Sequence, residues 1–341
     1  MIPAPLPSLQ PARWQQAWRD AVRDPRELLA LVGLESLADA IPDGPPSATV
    51  PGAFPLRVPR AFVARMRRGD PHDPLLRQVL PLDAESRPVP GFTLDAVGDG
   101  VARAGHGVIR KYRGRALLVA TGSCAIHCRY CFRRHFPYAE ETAAAGGWGE
   151  AVAVVAGDAG IDEVILSGGD PLSLATHKLA ELTTALAAVP HLRRLRIHTR
   201  LPVVLPARVD DALLGWIAGL PWPVTVVLHA NHANEFDRHV DDACARLRAA
   251  GATLLNQAVL LRGVNDSVDA LAALSERGFA AGVLPYYLHQ LDRVAGAAHF
   301  EVPDDEARAL HAALAARLSG YLVPRLVREV QGDPGKRPIP W

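Results

Sequence analysis

Cysteine is scarce in this chain. Four cysteines in 341 residues cannot make the disulfide framework of a short secreted domain. Lysine is scarcer: of 37 basic residues only Lys111, Lys178 and Lys336 are lysine. No run approaches the roughly 18 apolar residues a membrane helix needs. The opening MIPAPLPSLQ lacks a basic stretch followed by an apolar one, so no signal peptide is expected. A formal net charge of +1 creates no overall field for nucleic acid or an acidic partner. These absences lead to the expectation of a soluble, cytoplasmic protein that binds neither nucleic acid nor membrane. The 49% apolar content suffices for one large core or two modest ones.

What is scarce is also concentrated. Three of the four cysteines, Cys124, Cys128 and Cys131, share the run TGSCAIHCRYCFRR at 121–134, spaced C-x3-C-x2-C. Three thiolates on a [4Fe–4S] cluster leave one iron without a protein ligand and open to a small molecule. The competing reading is a Cys3His zinc site completed by His127 or His135. Cys244 recurs with Val240 and Leu247 at helical spacing and reads as a buried apolar residue. Arginine carries the ordinary surface charge, so each remaining lysine is a candidate for chemistry arginine cannot do: losing its proton or forming a Schiff base. Lys178 lies within an expected helix and reads as a surface residue.

Residues 1–100 read as a helical, loop-rich region. Trp14, Ala17, Trp18, Ala21 and Val22 fall on one helical face, and residues 60–68 suggest a second helix with a solvated charged face. Proline-rich breaks are expected at 41–59 and 86–90. From about 115, short apolar runs alternate with helical stretches. The expected strands are 116–120, 163–166, 194–198, 224–228, 254–261 and 282–287. Expected helices between them include 148–159, 174–189, 209–218 and 240–250. Repeated strand–helix units predict an α/β fold with a parallel sheet, and six units suit a partial (β/α)6 TIM-like barrel. Chemistry in such folds gathers at the C-terminal strand ends, and the cysteine loop directly follows the first strand. The other strand ends carry Ser167-Gly-Gly-Asp-Pro, His198-Thr-Arg, His229-Ala-Asn-His, Asn256-Gln257 and the stretch from Tyr286 to Asp292. The reading divides the chain into a helical region (1–100), a barrel (101–290) and a C-terminal extension (291–341).

From about residue 70 onward the chain resembles the lysine 2,3-aminomutase family of radical S-adenosylmethionine (SAM) enzymes. The resemblance rests on DPLLRQVLP at 73–81, the cysteine block, LSGGD at 166–170, RLPVVLP at 200–206 and HANHANE at 229–235. It continues through NQAVLLRGVND at 256–266, PYY at 285–287, AHF at 298–300, SGY at 319–321 and GKRP at 335–338. The short tail after Lys336 is most similar to the branch that makes β-lysine for modification of elongation factor P (EpmB type). The resemblance implies an isomerase with three cofactors: a [4Fe–4S] cluster on Cys124, Cys128 and Cys131, SAM, and pyridoxal 5′-phosphate (PLP). The resemblance implies that SAM cleaved at the open iron generates the radical, that Lys336 tethers PLP as a Schiff base, and that PLP carries the migrating amine as an imine in place of that lysine. Lys111 and Arg115 fall where the PLP phosphate is held, and His229, Gln257 and Tyr287 help place PLP. Tyr130 is implied to pack on the SAM adenine. Gly168, Gly169 and Asp170 take the methionine amino end, with His198 and Asn256 as further SAM residues. Arg133 matches the grip on the substrate carboxylate. Asp292 and Glu329 match the carboxylates that meet the far ammonium of lysine, Glu329 standing where the family has aspartate. Free lysine is the implied substrate, flavodoxin or ferredoxin the type of reductant, and elongation factor P with its lysyl ligase the functional partners; a homo-oligomer is a further expectation. The alternatives are an aminomutase for arginine or glutamate, and a non-catalytic iron–sulfur binding or redox-sensing protein.

Overall fold

A computed structural model describes residues 14–40, 54–143 and 147–340. The 41–53 part of the expected proline-rich break lies outside them.

Among the described residues up to 100, the helices are short: α1 (Trp14–Arg19), α2 (Pro25–Leu31), α3 (Arg60–Val63) and α4 (Pro74–Arg77). Two expectations are corrected here. α1 stops before Ala21 and Val22, because Val22 instead pairs with Val58 in an antiparallel bridge. The helix expected over 60–68 ends at Val63, and Arg65 is not on a solvated face: its buried guanidinium donates to the carbonyls of Glu235 and Val203. α4 starts where Asp73, itself buried, accepts from the backbone N–H groups of Leu75 and Leu76, with Pro74 in the first turn. Leu28, Leu29, Phe62, Leu75, Leu76 and Val79 are buried in the same apolar core as the strands that follow.

Those strands make one mixed sheet: β1 (Arg103–Gly105), β2 (Val108–Ile109), β3 (Arg115–Thr121), β4 (Glu163–Gly168), β5 (Arg194–Thr199), β6 (Val224–Leu228), β7 (Thr253–Val259), β8 (Leu284–His289), β9 (Arg325–Arg328) and β10 (Arg337–Pro338), in sequential order. β3 to β9 run parallel, and β1, β2 and β10 add antiparallel edges. The crossover helices are α5 (Gly149–Ala156), α6 (Thr176–Ala187), α8 (Asp211–Ala218), α9 (Arg238–Ala249), α10 (Val268–Ala280) and α11 (Asp304–Arg317), with short α7 (Leu201–Val204) capping the end of β5. Six strand–helix units were expected, and β3–β8 with their crossovers supply them. The seventh parallel strand, β9, was missed: LVR between a helix and a turn is too short to show a period.

The sheet is strongly curved. A flat sheet would separate β3 from β9 by six strand spacings, about 29 Å. Yet Tyr112, just before β3, donates to Glu329, just after β9, at 2.5 Å. Curvature thus draws the two outermost parallel strands toward each other, and the ends of β5 and β6 meet where His198 faces His229. No helix among the described residues is long and apolar enough to cross a membrane.

Candidate active site

The cysteine loop leaves the end of β3 and is held from several sides. The Arg129 N–H donates to the Gln78 carbonyl at 2.9 Å, and the His127 N–H to the Arg57 carbonyl at 3.0 Å. Glu85 ion-pairs with both Arg129 and Arg134 inside the protein. Burial works to raise the Glu85 carboxyl, but the two arginines outweigh it and hold it below the usual range. Gly168 and Gly169 let the end of β4 touch this loop. A Cβ on Gly169 would lie 2.5 Å from the Ser123 carbonyl oxygen, and one on Gly168 2.5 Å from that of Thr121. Gly168 also has φ +123°, a region glycine alone adopts readily.

The thiols themselves are under electrostatic stress. Burial, then the neighbouring Cys128, pushes Cys131 up to about 11; burial and Cys131 raise Cys124 well above the ordinary thiol range. One guanidinium, that of Arg200, reaches Cys128 Sγ at 2.6 Å. Three thiol groups brought together in one half-buried loop, whose thiolate forms repel, suit a polynuclear cation that neutralises them together. Among the described residues no three His, Cys, Asp or Glu side chains converge as ligands of a single metal ion. A cluster does not need that convergence, since each thiolate holds a different iron. His127 and His135 instead engage the carbonyls of Pro55 and Ala295.

A relay of ion pairs leads from this loop to the C-terminal lysine. Arg133, two residues after Cys131, is buried and meets Asp99 at 2.6 Å and Ser167 Oγ at 3.0 Å. Asp99 meets Lys111 at 2.6 Å, Lys111 meets Glu329 at 3.5 Å, and Glu329 meets Lys336 at 3.0 Å. Burial favours the protonated forms of Asp99 and Glu329. For Asp99 the charges of Arg133 and Lys111 prevail, and for Glu329 those of Lys336 and Lys111, helped by the Tyr112 hydroxyl; both carboxyls sit below their ordinary values. Lys336 is only 21% exposed and lies over the Tyr287 ring, 5.7 Å from its centroid. Arg115 stacks on Tyr112 at 5.2 Å. Asp292 lies in the field of Lys336, Glu329, Lys111 and Asp99, and burial pushes its carboxyl up to about 7.

The remaining candidates line the strand ends. His198 and His229 face each other, Nδ1 to Nε2, at 3.3 Å. Burial and the nearby Arg200, Lys336 and Arg133 lower His229 to about 3, so both imidazoles are neutral. Gln257 Oε1 is buried without a protein partner, as is Nε2 of His289. Orphaned buried polar atoms of this kind suit a polar ligand. Asp170 and Asn256 are already committed. Asp170 accepts from Thr199 Oγ1 and from the N–H groups of Leu172, Arg200 and Leu201. Asn256 bonds both backbone groups of Ala230 at 3.0 Å. Tyr130 is half-buried, accepts from Asn231 Nδ2 at 2.6 Å and packs edge-on to Phe300. Lys178 is half exposed and pairs with Glu181, and Cys244 is fully buried in α9, as the sequence indicated.

Sequence reasoning missed Asp99, Tyr112 and Arg200. Asp99 lies in an irregular segment with no periodic signal. Arg200 was visible as the end of His198-Thr-Arg, but nothing local tied it to a cysteine 72 positions away.

No family model matches the chain. It is 48% identical over 326 residues to the L-lysine 2,3-aminomutase of Escherichia coli K12, covering 96% of this chain and 94% of that one. The chain belongs to the L-lysine 2,3-aminomutase family. The enzyme of that name from Haemophilus influenzae is 44% identical, with 97% and 98% of the two chains covered. That from Clostridium subterminale is 33% identical over 279 residues, 82% of this chain and 67% of its own. Aminomutases are isomerases, and family membership places this protein among them.

Proposed function

We propose that this protein is a radical SAM, PLP-dependent L-lysine 2,3-aminomutase that converts L-α-lysine to β-lysine, and that its curved sheet is a partial (β/α)6 barrel extended by β9. Cys124, Cys128 and Cys131 hold the cluster, and Lys336 carries PLP. When bound, the cluster with SAM supplies the one-electron chemistry that breaks an unactivated C–H bond, and PLP supplies the carbon that carries the amine.

The protein's own part is to position. Lys111 and Arg115 offer cationic groups to the PLP phosphate, and His229, Gln257 and Tyr287 line the ring's surroundings. Tyr130, Gly168, Gly169, Asp170, His198 and Asn256 form the wall assigned to SAM; Asp170 and Asn256 serve it by fixing backbone, since their polar atoms are committed. Arg133 meets the substrate carboxylate while sharing its guanidinium with Asp99. The observation that carries the choice of substrate is the Glu329–Lys336 pair at 3.0 Å. Glu329 already accommodates primary ammonium groups, those of Lys336 and Lys111, and Asp292 stands nearby. Two carboxylates suit the ammonium of a lysine side chain and oppose a glutamate one.

The decisive experiment reconstitutes the protein with iron and sulfide without oxygen. It then adds SAM, PLP, a flavodoxin- or ferredoxin-type reductant and isotopically labelled lysine, arginine or glutamate. β-Lysine from lysine is the expected product. A cluster-loaded protein that turns over arginine or glutamate instead overturns the substrate; one that turns over none supports an iron–sulfur binding or sensing role. The physiological link is to elongation factor P, in the reducing cytoplasm: adding the factor and its lysyl ligase to the reaction should transfer the labelled product to the factor.

A further inference from the structure

Arg200 is the most heavily engaged side chain near the thiols. It leaves the end of β5, where its own N–H is fixed by Asp170 Oδ2 at 2.7 Å. Its guanidinium is buried between the rings of Phe62 and Tyr130, 5.4 and 5.7 Å from their centroids. One nitrogen donates to Cys128 Sγ at 2.6 Å. The other donates to Gln78 Oε1 at 2.7 Å and to Glu235 Oε2 at 2.9 Å. Glu235 is itself fully buried and accepts from Gln78 and from the N–H groups of Asn231 and His232. The fork is therefore held by Gln78, just after α4, and by the turn after β6, and it delivers one permanent positive charge to one thiol. Arg200 is in direct contact with that single sulfur, and the surrounding frame leaves the guanidinium little room to turn.

Resting on the proposal that Cys128 is an iron ligand, we infer that Arg200 is a positioning residue that sets the reduction potential of the cluster. Adding one electron makes the cluster more negative. A hydrogen bond and a fixed cation at a ligand sulfur stabilise that reduced form more than the oxidised one, and so raise the potential. Burial strengthens the effect, because little water screens the contact. Glu235 acts against it: its carboxylate spends part of the same charge. The pair therefore works as an opposed setting, in which Arg200 eases electron uptake from the external one-electron donor and Glu235 moderates it. Lysine cannot replace the fork, since a single ammonium cannot reach the thiol and both partners in one plane.

The test is a redox titration of reconstituted, cluster-loaded protein, with dithionite as electron donor and the reduced cluster read by electron paramagnetic resonance. Iron and sulfide per chain are measured alongside. Arg200→Met is expected to keep its iron and show a lower midpoint, with Arg200→Lys between it and the unaltered protein. Glu235→Gln keeps the guanidinium on the sulfur, removes a negative charge, and is expected to raise the midpoint. If Arg200→Met fails to hold a cluster, Glu235→Gln decides: a raised midpoint supports the assignment, and an unmoved one overturns it. A loaded Arg200→Met with the unaltered midpoint also overturns it. If the unaltered protein binds no iron at all, it is the cluster assignment that fails, and that result appears before any variant is compared.

Discussion

At the sulfur end of the cleft, three thiols, of which Cys124 and Cys131 are raised by burial and by a neighbouring cysteine, are held in place by backbone, by glycine contacts and by one buried guanidinium. At the lysine end, charges alternate: Arg133, Asp99, Lys111, Glu329, Lys336. The first arrangement is rigid and electrostatically unfavourable by itself. The second is satisfied by itself and consists of side chains that can exchange partners. A scaffold can force like groups together only if main chain and packing resist their repulsion, whereas opposite charges on flexible arms need no such frame. The lysine end is thus suited to trading partners with ionic ligands, and the sulfur end to holding one fixed object.

Substitutions can break or sharpen this contrast. Lys336→Ala has the largest expected effect. Turnover should fall on the order of 10³-fold or more, with loss of the visible PLP absorbance and iron content unchanged. A parallel loss of iron would mean that the two ends are not independent. Asp99→Asn comes next, because it removes the carboxylate shared by Arg133 and Lys111, leaving the buried Arg133 without an ion-pair partner and Lys111 with Glu329 alone. A loss of about 3 kcal/mol in urea unfolding is expected. Gly169→Ala probes the sulfur end: its methyl group meets the Ser123 backbone, so overpacking should cost about 1–3 kcal/mol. Iron loading should fall with it, and PLP absorbance should persist.

The smallest effect is a pH dependence at the lysine end. Asp292 holds its proton up to about 7 in the folded protein but releases it near 3.8 when unfolded. Between those values the folded state binds more protons, so this group's contribution to stability falls as pH rises from about 4 to about 7. Binding of a cationic substrate moves oppositely, because only the carboxylate attracts an ammonium. The KM for lysine should drop as pH rises through about 7, and Asp292→Asn should flatten both trends. Urea titrations and initial rates across that range check the two signs.

The strand–helix alternation was legible because β3–β8 and their crossover helices each bury a periodic apolar set. α9, for example, buries Val240, Ala243, Cys244 and Leu247. Short pieces were less so: α3 begins at Arg60 as expected but has only four residues, and the four-residue β9 is too short for periodicity to appear. The charged run at 60–68 misled because a burial pattern cannot reveal that Arg65 reaches the carbonyls of Glu235 and Val203.

From composition alone, three cysteines crowded into one loop and a near-absence of lysine singled out the groups with reactive chemistry, since thiol and amine reactivity belong to residue type and local spacing. Tertiary structure decided who neutralises whom. Asp99 bridging Lys111 and Arg133, Tyr112 and Lys336 meeting on Glu329, and Arg200 reaching Cys128 all depend on curvature bringing distant strand ends together. Coulomb and hydrogen-bond energies follow distance through space, and no local sequence pattern encodes that distance.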